Sequence, residues 1–186
     1  RFYHTLLYFV KQFILFIFIF FLDFGLVFCD NYIMKNQIYI FDLDGTVINS
    51  SHRFTGTAEG KVNLEAWIKD STRENIFKDT LLPLAKFMKA LMKANKIVWI
   101  CTARNMSQND FDFLAHHGIK PKTILCRKQG DHRADAEMKT AKLKRLFNLK
   151  QFQNMEKIMF DDNKTIQKEL KKIGINTLHE NALMLK

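Results

Sequence analysis

The sequence contains no C-x-x-C pair, no internal repeat and no G-x-x-x-x-G-K-[ST] run. Its three cysteines, Cys29, Cys101 and Cys126, stand apart, so it is not a disulfide-stapled scaffold. Cys101 and Cys126 lie in apolar, strand-like runs where cysteine serves as an inert core residue, and a reducing, cytoplasmic setting is expected. Without the phosphate-cradling loop the chain carries no P-loop kinase module. Acidic residues are outnumbered, 19 against 29 lysines and arginines, for a formal net charge of +10. Arg1, Lys11, Asp23 and Asp30 cancel within residues 1–33, so the whole excess lies beyond them. Such a surface suits a polyanion, nucleic acid foremost, and a plainly solvated lysine-rich face is the alternative. A length of 186 residues and 47% hydrophobic content allow one ordinary domain with a real core.

Residues 1–33 differ from the remainder. They hold nine of the 18 phenylalanines and no methionine, and residues 13–22 read FILFIFIFFL. Three readings compete. A membrane helix needs about 20 apolar residues and is poorly served by Asp23. A secretory signal needs small residues at a cleavage site, and none stand there. Alternatively the segment is not native coding sequence, because Met34 opens MKNQIYIFDLDGT, a natural start for a domain whose first strand begins at once. The expected division is an extension over 1–33 and a domain over 34–186, with membrane contact only if the extension is native.

From Lys35 onward, short apolar runs alternate with amphipathic stretches. Strands are predicted at 37–41, 97–101, 123–126, 157–160 and 175–178. Helices are predicted at 81–95, with Leu84, Phe87, Met88, Leu91 and Met92 on one face, at 107–118 between Ser107 and Gly118, at 134–149 and at 163–173. This alternation predicts an α/β fold, a doubly wound, Rossmann-like parallel sheet with helices on both faces. Residues 53–80 break it. They are polar, carry Gly56 and Gly60, and include one helical stretch near Val62–Lys69, as a small insertion over an active site would.

In such sheets ligands bind beyond the carboxyl ends of the strands. Asp42 and Asp44 follow the first strand, Thr102 and Arg104 the second, Arg127 the third, and Asp161 and Asp162 the fourth. Carboxylates, a hydroxyl and cations thus converge at one edge, and the chemistry they suit is phosphoryl transfer. A carboxylate attacking a phosphate dianion is repelled, and Mg²⁺ held by Asp42 and Asp161, with Asp44 and Asp162 beside it, screens that repulsion. Asp42 is then the nucleophile. Asp44 lies two residues on, on the same side of an extended chain, and suits protonation of the leaving alcohol and activation of water. Gly45 permits a tight turn and Thr46 can hydrogen-bond within it. Thr102 offers a hydroxyl to a phosphoryl oxygen, and Lys139 neutralises developing charge.

These motifs, in this order, resemble the haloacid dehalogenase superfamily over about residues 36–180. The stretches SHR at 51–53, TAR at 102–104, RKQGDHRADAEMK at 127–139 and FDDN at 160–163 further resemble the 3′-phosphatase module of phage polynucleotide kinases and its stand-alone relatives. The resemblance implies a Mg²⁺-dependent phosphatase. It implies that Arg53, eleven residues past Asp42, and Arg104 hold the substrate phosphate or the 3′ end. It also implies that Asp135, four residues before Lys139, orients Lys139 and the arginine groups, and that the substrate is a 3′-phosphate end of nucleic acid, as in repair. A kinase or ligase acting in trans is then an open partner. Two departures stand out: FDDN lacks an arginine that often follows, and Ala103 replaces a frequent glycine.

Competing readings remain. Lys142 rivals Lys139, but the four-residue spacing from Asp135 favours Lys139, since i and i+4 share a helix face. Arg133 suits a phosphate or a solvated loop equally. His52, His116 and His117 read as structural or exposed, and Trp67 and Trp99 as core. A response-regulator receiver also uses an aspartyl phosphate, but its acidic pair comes first and its acceptor later, the reverse of this order. The alternatives to a nucleic-acid phosphatase are a phosphatase of nucleotides or small phosphorylated metabolites, and a non-catalytic phosphate- or nucleic-acid-binding module.

Overall fold

The computed structural model describes residues 37–54 and 63–179. The extension over 1–33, Met34, Gly56 and Gly60 lie outside the described residues. Among the described residues, no helix is long and apolar enough to cross a membrane.

Among the described residues, seven strands and seven helices follow one another in the order β1 (Gln37–Phe41), β2 (Ile48–Asn49), α1 (Leu64–Asp70), α2 (Arg73–Ile76), β3 (Thr80–Leu81), α3 (Leu84–Lys93), β4 (Ile97–Asn105), α4 (Gln108–His116), β5 (Thr123–Arg127), α5 (Asp135–Phe147), α6 (Lys150–Gln153), β6 (Glu156–Phe160), α7 (Lys164–Lys171) and β7 (Asn176–Leu178). A single 3₁₀ turn, Ser51–Arg53, follows β2. Five strands form one parallel sheet in the order β5-β4-β1-β6-β7, and β2 and β3 pair antiparallel as a separate ribbon.

The sheet is buried on both faces, as its near-continuous apolar strands predict. Successive side chains point oppositely along a strand. Accordingly Tyr39, Phe41, Val98, Ile100 and Phe160 join one core with Leu84, Met88 and Leu91 of α3 and Phe113 of α4. Ile38, Ile40, Trp99, Cys101 and Met159 join the other with Leu143 of α5 and Ile166 and Leu170 of α7. Phe41 and Phe160, partners across β1 and β6, stack at 4.8 Å. The doubly wound α/β architecture expected from the alternation is the one observed.

Helix ends follow local chemistry. The Ser107 amide and hydroxyl both donate to Asp110 at the start of α4, and Gly118, with φ at +70°, releases the chain after it. The Asn163 side chain accepts from the amides of Thr165 and Ile166 and opens α7. Two bounds differ from expectation. β4 continues beyond Cys101 to Asn105, with an irregular register against β5 between those residues, so Thr102 and Arg104 ride on a distorted strand end. The helix expected over 134–149 stops at Phe147, and α6 follows as a separate turn.

The strand order reverses between β1 and β6, because β4 and β5 lie to one side of β1 and β6 and β7 to the other. A crevice beyond the strand ends forms at such a point, and Asp42 and Asp161 stand directly after these two strands.

Candidate active site

The end of β1 continues the sheet by one bond, the Asp42 amide donating to the Phe160 carbonyl at 3.0 Å, and the Asp161 amide likewise donates to Leu178 at 3.2 Å. The backbone then turns sharply. The Leu43 carbonyl accepts from Thr46, Val47 and Ile48, while Leu43, Val47 and Ile48 are buried. Gly45 sits at φ +74°, and a Cβ on it would lie 2.5 Å from Oδ2 of Asp162. Only glycine satisfies both the left-handed backbone and the close approach of that carboxylate.

Lys139 reaches in from α5 and is 1% exposed. Its Nζ lies 2.8 Å from Oδ1 of Asp42 and 2.8 Å from Oδ2 of Asp161. The Asp161 contact is the better directed of the two, and apart from the Lys139 ammonium no donor reaches the buried Oδ1 of Asp42. Burial, reinforced by the like charges of Asp161 and Asp44 and opposed by Lys139, pushes the Asp42 carboxyl up to about 7. Burial lowers the pKa of the Lys139 ammonium, but Asp42 and Asp161 outweigh it and hold the group above the usual lysine range.

Asp42, Asp161 and Asp162 each offer a carboxylate oxygen, all within 4.8 Å of one another. An all-oxygen donor set with a buried Oδ1 that only Lys139 approaches fits a hard divalent cation such as Mg²⁺. Thr46 supports Asp162, its Oγ1 accepting from the Asp162 amide at 3.2 Å.

The Asp44 carboxylate, also expected at the metal, is not in this cluster. Its carboxylate accepts from Arg104 Nε at 3.0 Å, from Arg104 Nη2 and from the Ser50 hydroxyl. Burial pushes the Asp44 carboxyl up, but Arg104, Ser50 and Arg53 together outweigh it and hold it below the ordinary carboxylate range. Thr102 is buried at the same edge, its Oγ1 accepting from the Arg104 amide at 3.1 Å.

The arginines also differ from expectation. Arg53 and Arg104 are 2% and 5% exposed, and carboxylates of the chain itself engage both, so they do not present open forks to a substrate phosphate. Arg53 donates through Nε and Nη2 to Asp79, at 3.0 and 2.6 Å, and through Nη1 to Ser71. Arg104 donates through Nη1 to Asp110 at 2.8 Å and reaches Asp79 at 3.4 Å besides Asp44. Trp67 is buried, as expected of a core residue, though outside the two apolar clusters. Its ring instead roofs these cations, 4.4 Å from the Arg53 guanidinium carbon and 5.7 Å from that of Arg104. Asp79, Asp110, Ser50 and Ser71 were not singled out in the sequence. Asp79 precedes a two-residue strand in a polar stretch, and no spacing marks it.

The expectation for Asp135 holds in part: it pairs with an arginine, Arg127, and not with Lys139, whose ion-pair partners are Asp42 and Asp161. Its position at the first residue of α5 lets it meet the buried Arg127, which also donates to the carbonyls of Ala103, Asp131 and Arg133. Arg133 is exposed and folds back onto Asp131 at 2.9 and 2.6 Å, a contact that its loop position two residues on makes local. The geometry favours Lys139 over Lys142 as the lysine of the site. Cys101, although near Asp42 and Lys139, has its thiol pushed up to about 12 by burial and is inert.

The profile of the Bacteriophage T5 5′-deoxynucleotidase family matches residues 31–185. A 5′-deoxynucleotidase of Escherichia phage T5 is 39% identical over 89 residues, covering 46% of this chain and 36% of that protein. Among solved structures, the Pnkp1/Rnl/Hen1 RNA repair complex superposes with a TM-score of 0.58 at 20% identity, covering 78% of this chain and 42% of the other. A haloacid dehalogenase-like hydrolase from Streptococcus pneumoniae gives 0.55 at 15% identity, covering 78% and 84%. The magnesium-bound HAD-hydrolase YfnB of Bacillus subtilis gives 0.52 at 14%, covering 77% and 87%. The chain thus spans well under two thirds of the phage relative it matches. With the fold of haloacid dehalogenase-like hydrolases and a profile match over most of its length, this chain belongs to the phage T5 5′-deoxynucleotidase family.

Proposed function

We propose that the chain is a Mg²⁺-dependent phosphomonoesterase working through an aspartyl phosphate on Asp42, with a deoxynucleoside 5′-monophosphate as its substrate. The observation that carries this reading is Lys139, buried between Asp42 and Asp161 at 2.8 Å from each, with Asp162 close by. The choice of substrate rests on family membership. Asp42, Asp161 and Asp162 would hold Mg²⁺, which when bound supplies positive charge against the phosphate dianion.

A carboxylate oxygen of Asp42 attacks phosphorus, and the bond from phosphorus to the sugar oxygen breaks as the new O–P bond forms. Asp44, turned away from Arg104 and protonated, gives its proton to the departing sugar oxygen. It then takes one from the water that cleaves the aspartyl phosphate, so that inorganic phosphate leaves and Asp42 is restored. Lys139 stabilises negative charge gathering beside Asp42. Thr102, whose hydroxyl oxygen accepts the Arg104 amide, keeps its own proton to donate to a phosphoryl oxygen.

A polynucleotide 3′-phosphate end is the second reading, favoured by the SHR and TAR stretches and by the net charge of +10. Phosphate release from deoxynucleoside 5′-monophosphates and from a 3′-phosphorylated oligonucleotide, each with Mg²⁺ and with EDTA, separates the two. Mg²⁺-dependent release is expected, faster from the mononucleotide, and Asp42→Asn is expected to abolish it. Release from neither substrate overturns the phosphatase reading.

A further inference from the structure

Asp79 stands behind the site, and its side chain has no solvent exposure. Its carboxylate takes a bidentate pair from Arg53, a longer contact from Arg104 Nη2 at 3.4 Å, and lies 3.6 Å from His52 Nε2. Arg104 is the cation that grips Asp44. The Asp44 side chain is 32% exposed while that of Arg104 is 1% exposed, so Asp44 faces outward and Arg104 lies behind it.

To reach a substrate's leaving oxygen the Asp44 side chain has to let go of Arg104, because both of its oxygens are taken up by the guanidinium fork and the Ser50 hydroxyl. That release would strand a buried guanidinium unless other carboxylates remain on it, and an uncompensated buried charge is strongly unfavourable. Asp110 holds Nη1, and Asp79 approaches Nη2, the nitrogen that also grips Asp44. Asp79 is therefore the carboxylate able to keep Nη2 paired. Its bidentate hold on Arg53 fixes it in place, and the Trp67 ring closes both cations from above.

We infer that Asp79 is a positioning residue for proton transfer: it keeps Arg53 and Arg104 paired so that Asp44 can turn from Arg104 to the leaving oxygen of the substrate. The inference rests on the phosphatase reading above and extends it to a residue that touches neither metal site nor substrate.

The test compares kcat/KM for a deoxynucleoside 5′-monophosphate, whose sugar oxygen needs a proton to leave, with p-nitrophenyl phosphate, whose leaving group does not. Asp79→Asn is expected to lower kcat/KM on the nucleotide about 100-fold and on p-nitrophenyl phosphate less than about threefold, matching the selectivity of Asp44→Asn. A purely structural role would lower both substrates alike, and that result overturns the inference while leaving the phosphatase reading intact. A wild-type protein inactive on both substrates overturns the phosphatase reading itself. If Asp79→Asn does not fold, Asp79→Glu, which keeps the charge and moves it by one methylene, is read the same way. Failure of both variants to fold overturns the inference in favour of a structural carboxylate.

Discussion

Asp44 and Arg104, sixty residues apart in sequence, meet through a two-pronged contact in which Arg104 Nε lies 3.0 Å from Oδ2 of Asp44 and Nη2 takes the other oxygen. The pair divides the labour of the two acidic residues after β1. Asp42 faces the lysine and the other acids, whereas Asp44 faces the arginines, although only Leu43 separates them. The sharp turn at Gly45 and the irregular end of β4 create this division.

Lys139→Ala is expected to destabilise the metal-free protein by about 3–5 kcal/mol, because it leaves Asp42 and Asp161 buried together without their cation. Urea unfolding with and without Mg²⁺ reads this. The loss is expected to shrink when the divalent ion is present, and a loss that is small in both conditions would contradict the bridging role.

Gly45→Ala places a Cβ 2.5 Å from the Asp162 carboxylate on a backbone at φ +74°. A destabilisation of about 1–3 kcal/mol is expected from the strained backbone alone. Displacement of Asp162 is expected to weaken Mg²⁺ binding as well, measured as a smaller Mg²⁺-induced rise in Tm than in the wild type.

The response to pH follows from Asp42. Its carboxyl keeps its proton up to about 7 in the folded chain, against 3.8 for an ordinary aspartate. Between these values the native state binds more protons than the unfolded state, so the Asp42 contribution to metal-free stability falls as pH rises and levels off above the upper value. Mg²⁺ held by Asp42, Asp161 and Asp162 would displace that proton. Stabilisation by Mg²⁺ is therefore expected to grow with pH across the same window, and thermal melting at fixed Mg²⁺ from pH 5 to 8 checks it. A flat Mg²⁺ effect would place the titrating proton elsewhere.

Trp67→Leu removes the aromatic face from both guanidinium groups, and a loss of about 1–3 kcal/mol is expected. Trp67→Phe, which keeps a ring in place, is expected to recover part of it. Equal losses in the two variants would assign Trp67 to packing alone.

Much of the fold was legible because its strands are short apolar runs bounded by polar ends, and because residues such as Ser107 and Gly118 mark where a helix starts and stops. Asp42, Lys139, Asp161 and Asp162 were legible for the same reason, since a residue directly after a buried strand, or one helical turn past Asp135, has few places to go. The arginines were visible as chemistry but not as partners. A motif names Arg53 and Arg104, yet their contacts depend on where Asp79 and Asp110 return in space, 26 residues from the one and 6 from the other. Trp67 was legible as a buried residue but not as the ring that covers two guanidinium groups, since hydrophobic patterning does not show that an indole also pairs with a cation. Arg133 met Asp131, two residues away, while Asp135 passed over Arg133 and Lys139 for Arg127, eight residues away, an outcome that spacing alone does not rank.

The backbone amides of Asp42 and Asp161 bond to Phe160 and Leu178 on neighbouring strands, which knits both acids into the central ladder. Partial opening of the helical excursion between β2 and β3 can therefore proceed while these two amides stay shielded. In hydrogen–deuterium exchange they would retain their protons as long as the innermost sheet does, so the reactive carboxylates share the fate of the most durable part of the molecule and would be lost only when it melts as a whole.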